Sequence, residues 1–226
     1  MNMSTRILFS CALLSLLSAC GGGGSGSSGA PAAAAVPTTL SYVDPTGDRW
    51  RLVRDASSTD TRLVLNLVGP SNLKSRGVGF NLKRGSGLTF ATFSDGGWAH
   101  DTGVFQLKGS NANFEPYAGT AADPVLFVSA PLASGDVLST GIFQKDRTFA
   151  AKSLTQPLVQ VAITLAPGGA GASPSGPGGD SYALQVVKAR MVPDDIGGFD
   201  FQLTPAVIAK AKMADIDIAV GLISYK

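Results

Sequence analysis

The sequence predicts an all-β domain, a two-sheet sandwich of about ten strands with one short C-terminal helix. Three observations lead there. Of 16 acidic residues only Glu115 is a glutamate, and 28 Gly and 13 Pro accompany the aspartates, so turn formers abound while the helix-forming acid is nearly absent. Hydrophobic residues make up 44% and charged residues 15%, which supplies a core and excludes global disorder. Short runs of β-branched, aromatic and leucine residues recur at period two between turn residues.

Taken in order, Leu40 to Val43 and Arg49 to Arg54 flank Asp44-Pro45-Thr46-Gly47-Asp48 as a short hairpin, with Pro45 presetting φ and Gly47 accepting a positive φ. In Thr61 to Val68, Leu63, Leu65 and Leu67 form one face against Arg62, Val64, Asn66 and Val68, and Val78, Phe80 and Leu82 repeat the pattern. Leu88 and Phe90 follow the turn 84–87. Such alternation predicts sheets with one buried face. Further strands are expected at 103–108, 125–129, 137–144, 158–165 and 182–192. Residues 166–181, rich in Gly and Pro, predict a mobile loop within the domain. Thr204 as cap, Pro205 in the first turn and Lys210 and Lys212 near the end predict a helix over 205–214. A closing strand follows from Asp215 to Tyr225, with Ile216, Ile218, Val220 and Leu222 on one side.

The chain opens with Arg6, an apolar run from Ile7 to Leu17, and the small residues Ser18 and Ala19 before Cys20. The run is too short for a comfortable bilayer span and marks an export signal over 1–19. Leu17-Ser18-Ala19-Cys20 closely resembles the lipobox of bacterial lipoproteins. The resemblance implies cleavage before Cys20 and a lipid anchor on its sulfur, and Gly21 after it implies the outer membrane where the cell has one. The other cysteine, Cys11, lies in the leader, so the mature domain is expected to hold without disulfides. Residues 20–39, Gly/Ser-rich and then stiffened by Pro31 and Pro37, read as a tether with a reach of about 25 Å. The domain proper is 40–226.

The segments LVLNLVGPSNLKSRGVGFNLKRGSGLTF, LFVSAPLASGDVLSTGIFQK and YALQVVKARMVPDDIGG resemble, over roughly residues 50–200, the strand sequence of cohesin domains and related cellulose-binding modules. The resemblance implies a jelly-roll sandwich of nine strands and a binding role. The leading hairpin, the Pro/Gly loop and the final helix and strand are additions to that pattern, and no partner-binding residue carries over.

Chemistry is sparse. The formal net charge of +2 lacks the basic footprint of a nucleic-acid binder. His100, the single histidine, has no nucleophile elbow near it, and Asp101 would point to the opposite side of a strand. The aspartates sit beside Gly, Pro or Ser, where they close turns, and neither Asp194-Asp195 nor Asp215-x-Asp217 has calcium-loop spacing. No cofactor, metal or catalytic residue is therefore assigned. Trp98, in a loop of Gly, Asp and His, is the candidate for stacking on a sugar ring. Trp50 shares a strand face with Leu52 and is expected in the core, and Arg49, Arg51, Arg54 and Arg62 are expected on a solvated face. The function expected is a non-enzymatic, lipid-anchored envelope module binding a protein partner or a polysaccharide at the membrane surface. The alternative is an accessory glycan-cleaving hydrolase using an Asp pair, which would need two acids in one concave pocket.

Overall fold

The structure, a computed structural model, describes residues 38–93, 111–113, 125–145, 148–167, 180–194 and 213–225. Its strands are β1 (Leu40–Val43), β2 (Arg51–Arg54), β3 (Arg62–Val68), β4 (Lys74–Arg84), β5 (Leu88–Ala91), β6 (Ala112–Asn113), β7 (Val125–Pro131), β8 (Val137–Gln144), β9 (Lys152–Ser153), β10 (Gln160–Leu165), β11 (Leu184–Pro193), β12 (Ala214–Asp215) and β13 (Leu222–Tyr225). All pair antiparallel. A five-stranded sheet runs β2-β3-β10-β5 with β6 on β10, and a six-stranded sheet runs β12-β11-β4-β8-β7 with β9 on β4. A ribbon of β1 and β13 completes the fold.

The inner face of the five-stranded sheet carries Leu52, Leu63, Leu65, Leu67, Val161, Ile163 and Leu88, all buried. Val78, Phe80, Leu82, Leu138, Ile142 and Phe127 from the six-stranded sheet join them in one core. The period-two expectation for β4 therefore holds, because a strand places alternate side chains on opposite faces, and the strand expected at 137–144 is β8. The chain changes sheets at 84–87, where the turn predicted there lies. Its bend is pinned by the Gly87 amide donating to Ser181 O at 2.7 Å and the Gly85 amide donating to Ala183 O at 2.8 Å. Tyr182, on a single 3-10 turn (Asp180–Tyr182), packs against Gly87 so closely that a Cβ there would lie 2.6 Å from its ring. Trp50 is buried beside Leu52, as expected.

Four expectations are corrected. β1 and β2 do not form a hairpin: β1 pairs with β13, and β2 with β3. Gly47 does take a positive φ of 94°, but the turn it makes connects two different sheets. β3 is buried on both faces, since Val64, Asn66 and Val68 are as enclosed as its leucines. Thirdly, the helix predicted over 205–214 does not reach its end. Residues 205–212 lie outside the described residues, Met213 is not helical, and Ala214 is in β12, held against Met191 on β11. Finally, the alternation of the last segment slips at Gly221: Ile218 and Ile223 are buried, whereas Leu222 is 67% exposed. The segment first bridges β2 through Ala219 and only then joins β1, so its inward face changes with its partner. The signal segment, most of the tether, the strand expected at 103–108, residues 168–179 of the loop, Cys20, Trp98 and His100 lie outside the described residues.

Candidate binding faces

The outer face of the six-stranded sheet is built on glycine. Gly77 stands directly opposite Phe143, and Gly79 opposite Gly141, in the β4–β8 register. With no Cβ on the three glycines, the half-buried Phe143 ring packs against their backbone. A Cβ on Gly141 would meet its Cε2 at 2.9 Å and one on Gly79 its Cζ at 3.2 Å. Glycine inside a strand costs conformational entropy and leaves nothing to pack, so three of them together mark a place where close approach is what the surface provides. Around the ring stand Val128 at 47% and Leu126 at 42% exposure on β7, and Met213. The bulge between Val186 and Lys188 puts Val187 outside as well. The result is a shallow groove of about 330 Å³ with Lys188 and Arg190 on its β11 side. Arg190 is braced by Asp215, Nε to Oδ1 at 2.7 Å, which leaves Lys188 as the less constrained cation.

The outer face of the five-stranded sheet carries a polar network beside the buried Val64 and Val68. Asp55 Oδ1 accepts from the Ser57 amide and hydroxyl at 2.8 and 2.6 Å, and its Oδ2 accepts from Asn66 Nδ2 at 2.7 Å and Gln160 Nε2 at 3.3 Å. Burial alone would raise the Asp55 pKa, but these four donors outweigh it and hold the carboxyl below its ordinary range. Nearby, the Ser71 hydroxyl and then its amide donate to Asp48 and lower its pKa, with Arg51 adding to the effect. A second groove, of about 410 Å³, opens between these groups.

Asp55 and Asp136 behave as the sequence suggested, with one addition. Asp55 closes a turn on Ser57, and Asp136 beside Ser134 completes the β7–β8 hairpin, where the Ser134 hydroxyl most strongly holds its pKa down. The addition is reach: Asp48 and Asp55 also tie together strands distant in sequence, which local composition cannot reveal. Of the arginines expected on a solvated face, Arg49 and Arg54 are exposed, whereas Arg51 and Arg62 are half-buried. Arg51 donates to the Gly47 carbonyl, Arg62 donates to Thr92 O at 3.2 Å and lies over the Phe93 ring, and the Arg54 amide is taken by Asp44. Among the described residues no three His, Cys, Asp or Glu side chains gather as a metal site. The Gly77-x-Gly79 and Gly141-x-Phe143 patterns were visible in the sequence as glycines inside strands, the one signal that could have pointed to the Phe143 face.

No family model and no curated protein matches the chain. Among solved structures it is similar to a type II cohesin domain from the cellulosome of Acetivibrio cellulolyticus, with a TM-score of 0.40 and 11% identity over 77% of this chain and 93% of that one. A likeness that loose transfers neither a partner nor a site residue.

Proposed function

We propose that the chain is a lipid-anchored binding module of the cell envelope that takes a protein partner on the outer face of its six-stranded sheet. The observation carrying this reading is the Phe143 ring on its glycine bed, flanked by exposed Leu126, Val128 and Met213. An aromatic anchor in a broad apolar patch with charge at its margin is the composition of a protein interface rather than of a catalytic cleft. Anchoring through Cys20 is supported by the lipobox resemblance, and the tether would hold this face near the membrane surface. The hydrolase alternative needs two carboxylates facing one concave pocket. Among the described residues the groove beside Phe143 is lined by no carboxylate, and the second groove by Asp48 alone.

Capture from detergent-solubilised envelope with the full chain tests the proposal. A partner retained by the parent protein and lost with Phe143→Ala is expected. Capture indifferent to Phe143→Ala and to Val128→Asp, with both variants folded, would move the interface elsewhere.

A further inference from the structure

The β1–β13 ribbon lines neither groove. Its pleat sends Leu40, Tyr42 and Ile223 into the core and leaves Ser41, Val43, Leu222 and Ser224 on the outside. We infer that this outer face is a lipid contact, seated on the surface of the membrane to which the chain is tethered. The inference rests on the lipid anchor proposed above and concerns a different face from the partner site.

Among the described residues Val43 and Leu222 are the two most exposed large hydrophobic side chains, at 64% and 67%, while every other is less than half exposed. They are also direct partners in the β1–β13 register, so their Cβ atoms stand about 5 Å apart and make one apolar spot. The display is held in place: the Gly221 amide, just before Leu222, donates to the Tyr42 hydroxyl, just before Val43, at 2.6 Å. Beside the spot the Ser41 and Ser224 hydroxyls bond to one another at 2.6 Å. The outward positions therefore present two aliphatic side chains and a mutually satisfied pair of hydroxyls, with no charge among them. Covering such a face removes apolar surface from water and strips no ion of its hydration.

A spot of two side chains is too small to hold a free partner, since specific interfaces bury far more. Its position selects lipid. The tether, residues 20–39, runs into Leu40, the first residue of β1, and Val43 ends the same strand about 10 Å further on. A coil with a reach of about 25 Å holds the ribbon close to an acyl group on Cys20. At that range the contact is intramolecular, with an effective concentration on the order of millimolar, so a weak apolar contact suffices to set how the domain sits. None of the outward residues lines the Phe143 groove, so lipid and a partner in that groove do not compete.

The test uses the full chain, processed, purified in detergent and reconstituted into phosphatidylcholine vesicles. An NBD fluorophore is placed on Ser41→Cys or, as control, on Ala130→Cys at an exposed position of β7. A fraction of the phosphatidylcholine carries a nitroxide high on its acyl chain, which quenches a fluorophore seated at the lipid surface. Flotation with the vesicles reports the anchor, and quenching reports the ribbon. Floating chains are expected to show quenching at Ser41 and none at Ala130. Val43→Thr combined with Leu222→Asn should abolish it, while Phe143→Ala leaves it intact. Leu222→Asn alone, at the more exposed of the two positions, keeps the test open should the double variant fold poorly. Chains that float with no more quenching at Ser41 than at Ala130 would overturn the inference and leave the anchor standing, as would quenching that survives these substitutions. Chains that do not float would withdraw the anchor and the inference with it.

Discussion

The Tyr42 hydroxyl accepts a hydrogen bond from the Gly221 amide at 2.6 Å while donating its own proton to Leu52 O at 2.9 Å. One phenol thus joins the first strand of the domain, the strand after it and the return of the C-terminal segment. Around it, Ala219 exchanges backbone bonds with Trp50 and Leu52, at 2.9 and 3.0 Å. The two ends of the domain are closed by this cluster.

Removing the hydroxyl with Tyr42→Phe leaves the Leu52 carbonyl and the Gly221 amide unpaired in the interior. A loss of about 1–3 kcal/mol in urea unfolding is expected. The same residue should shape the alkaline limb of stability. Burial pushes the Tyr42 pKa well up, with Asp44 adding to it and the Gly221 hydrogen bond opposing. The unfolded chain ionises near pH 10 while the folded one resists, so this contribution is whole below about pH 10 and falls as pH rises beyond it. Tyr42→Phe should flatten the alkaline limb of stability against pH; an unchanged limb would show that another group sets it.

Gly221→Ala should be more disruptive than its size suggests. The added Cβ would run into the Val43 carbonyl and stand 2.7 Å from Tyr42 Cζ, and backbone cannot yield as a flexible side chain does. We expect a cost of about 1–3 kcal/mol from overpacking, with the β1–β13 amides losing hydrogen-exchange protection first. At Gly135 nothing lies within 4 Å of a Cβ and only the positive φ of 73° resists substitution. Gly135→Ala should therefore leave the β1–β13 amides protected.

Acid should weaken the five-stranded sheet through Asp55. Its folded pKa is lowered, so the stability it lends is present above about pH 4 and drains away as pH falls through the folded value. In Asp55→Asn the acid limb should be shallower, although Asp48 and Asp136, also lowered, keep part of it. Denaturation midpoints measured from pH 7 down to pH 2 decide this.

Leu65, fully buried at the middle of β3, should cost about 2–5 kcal/mol when truncated to alanine. Phe143→Ala, by contrast, opens no enclosed cavity and should lower stability less than Leu65→Ala while abolishing partner capture. The two unfolding curves, run side by side, separate a core residue from an interface residue.

If Cys20 carries the lipid, Cys20→Ser should end incorporation of a palmitate analogue, because only a thiol forms the thioether. Continued labelling of the variant would remove the anchor from the proposal.

Much of the fold was legible because strand formation is written locally. The alternation of Val78, Phe80 and Leu82, the run at 137–144 and the turn at Gly47 each depend on residues within one segment, where side-chain period and backbone φ are set by near neighbours. Composition likewise fixed the class, since an aspartate-rich chain with one glutamate has turns to spend and little to build helices from. Pairing was beyond local reading. That β1 joins β13 rather than β2, that Leu222 turns outward beside Ile223, and that Asn66 is buried on the face opposite the leucines all follow from contacts between distant segments. The grooves belong to the same class. Gly77, Gly79, Gly141 and Phe143 form one surface only after β4 and β8 lie side by side, and Asn66 meets Asp55 only once β2 and β3 pair. Residue period decides which side of a strand is apolar; which strand lies beside it is decided by the burial available to the whole chain.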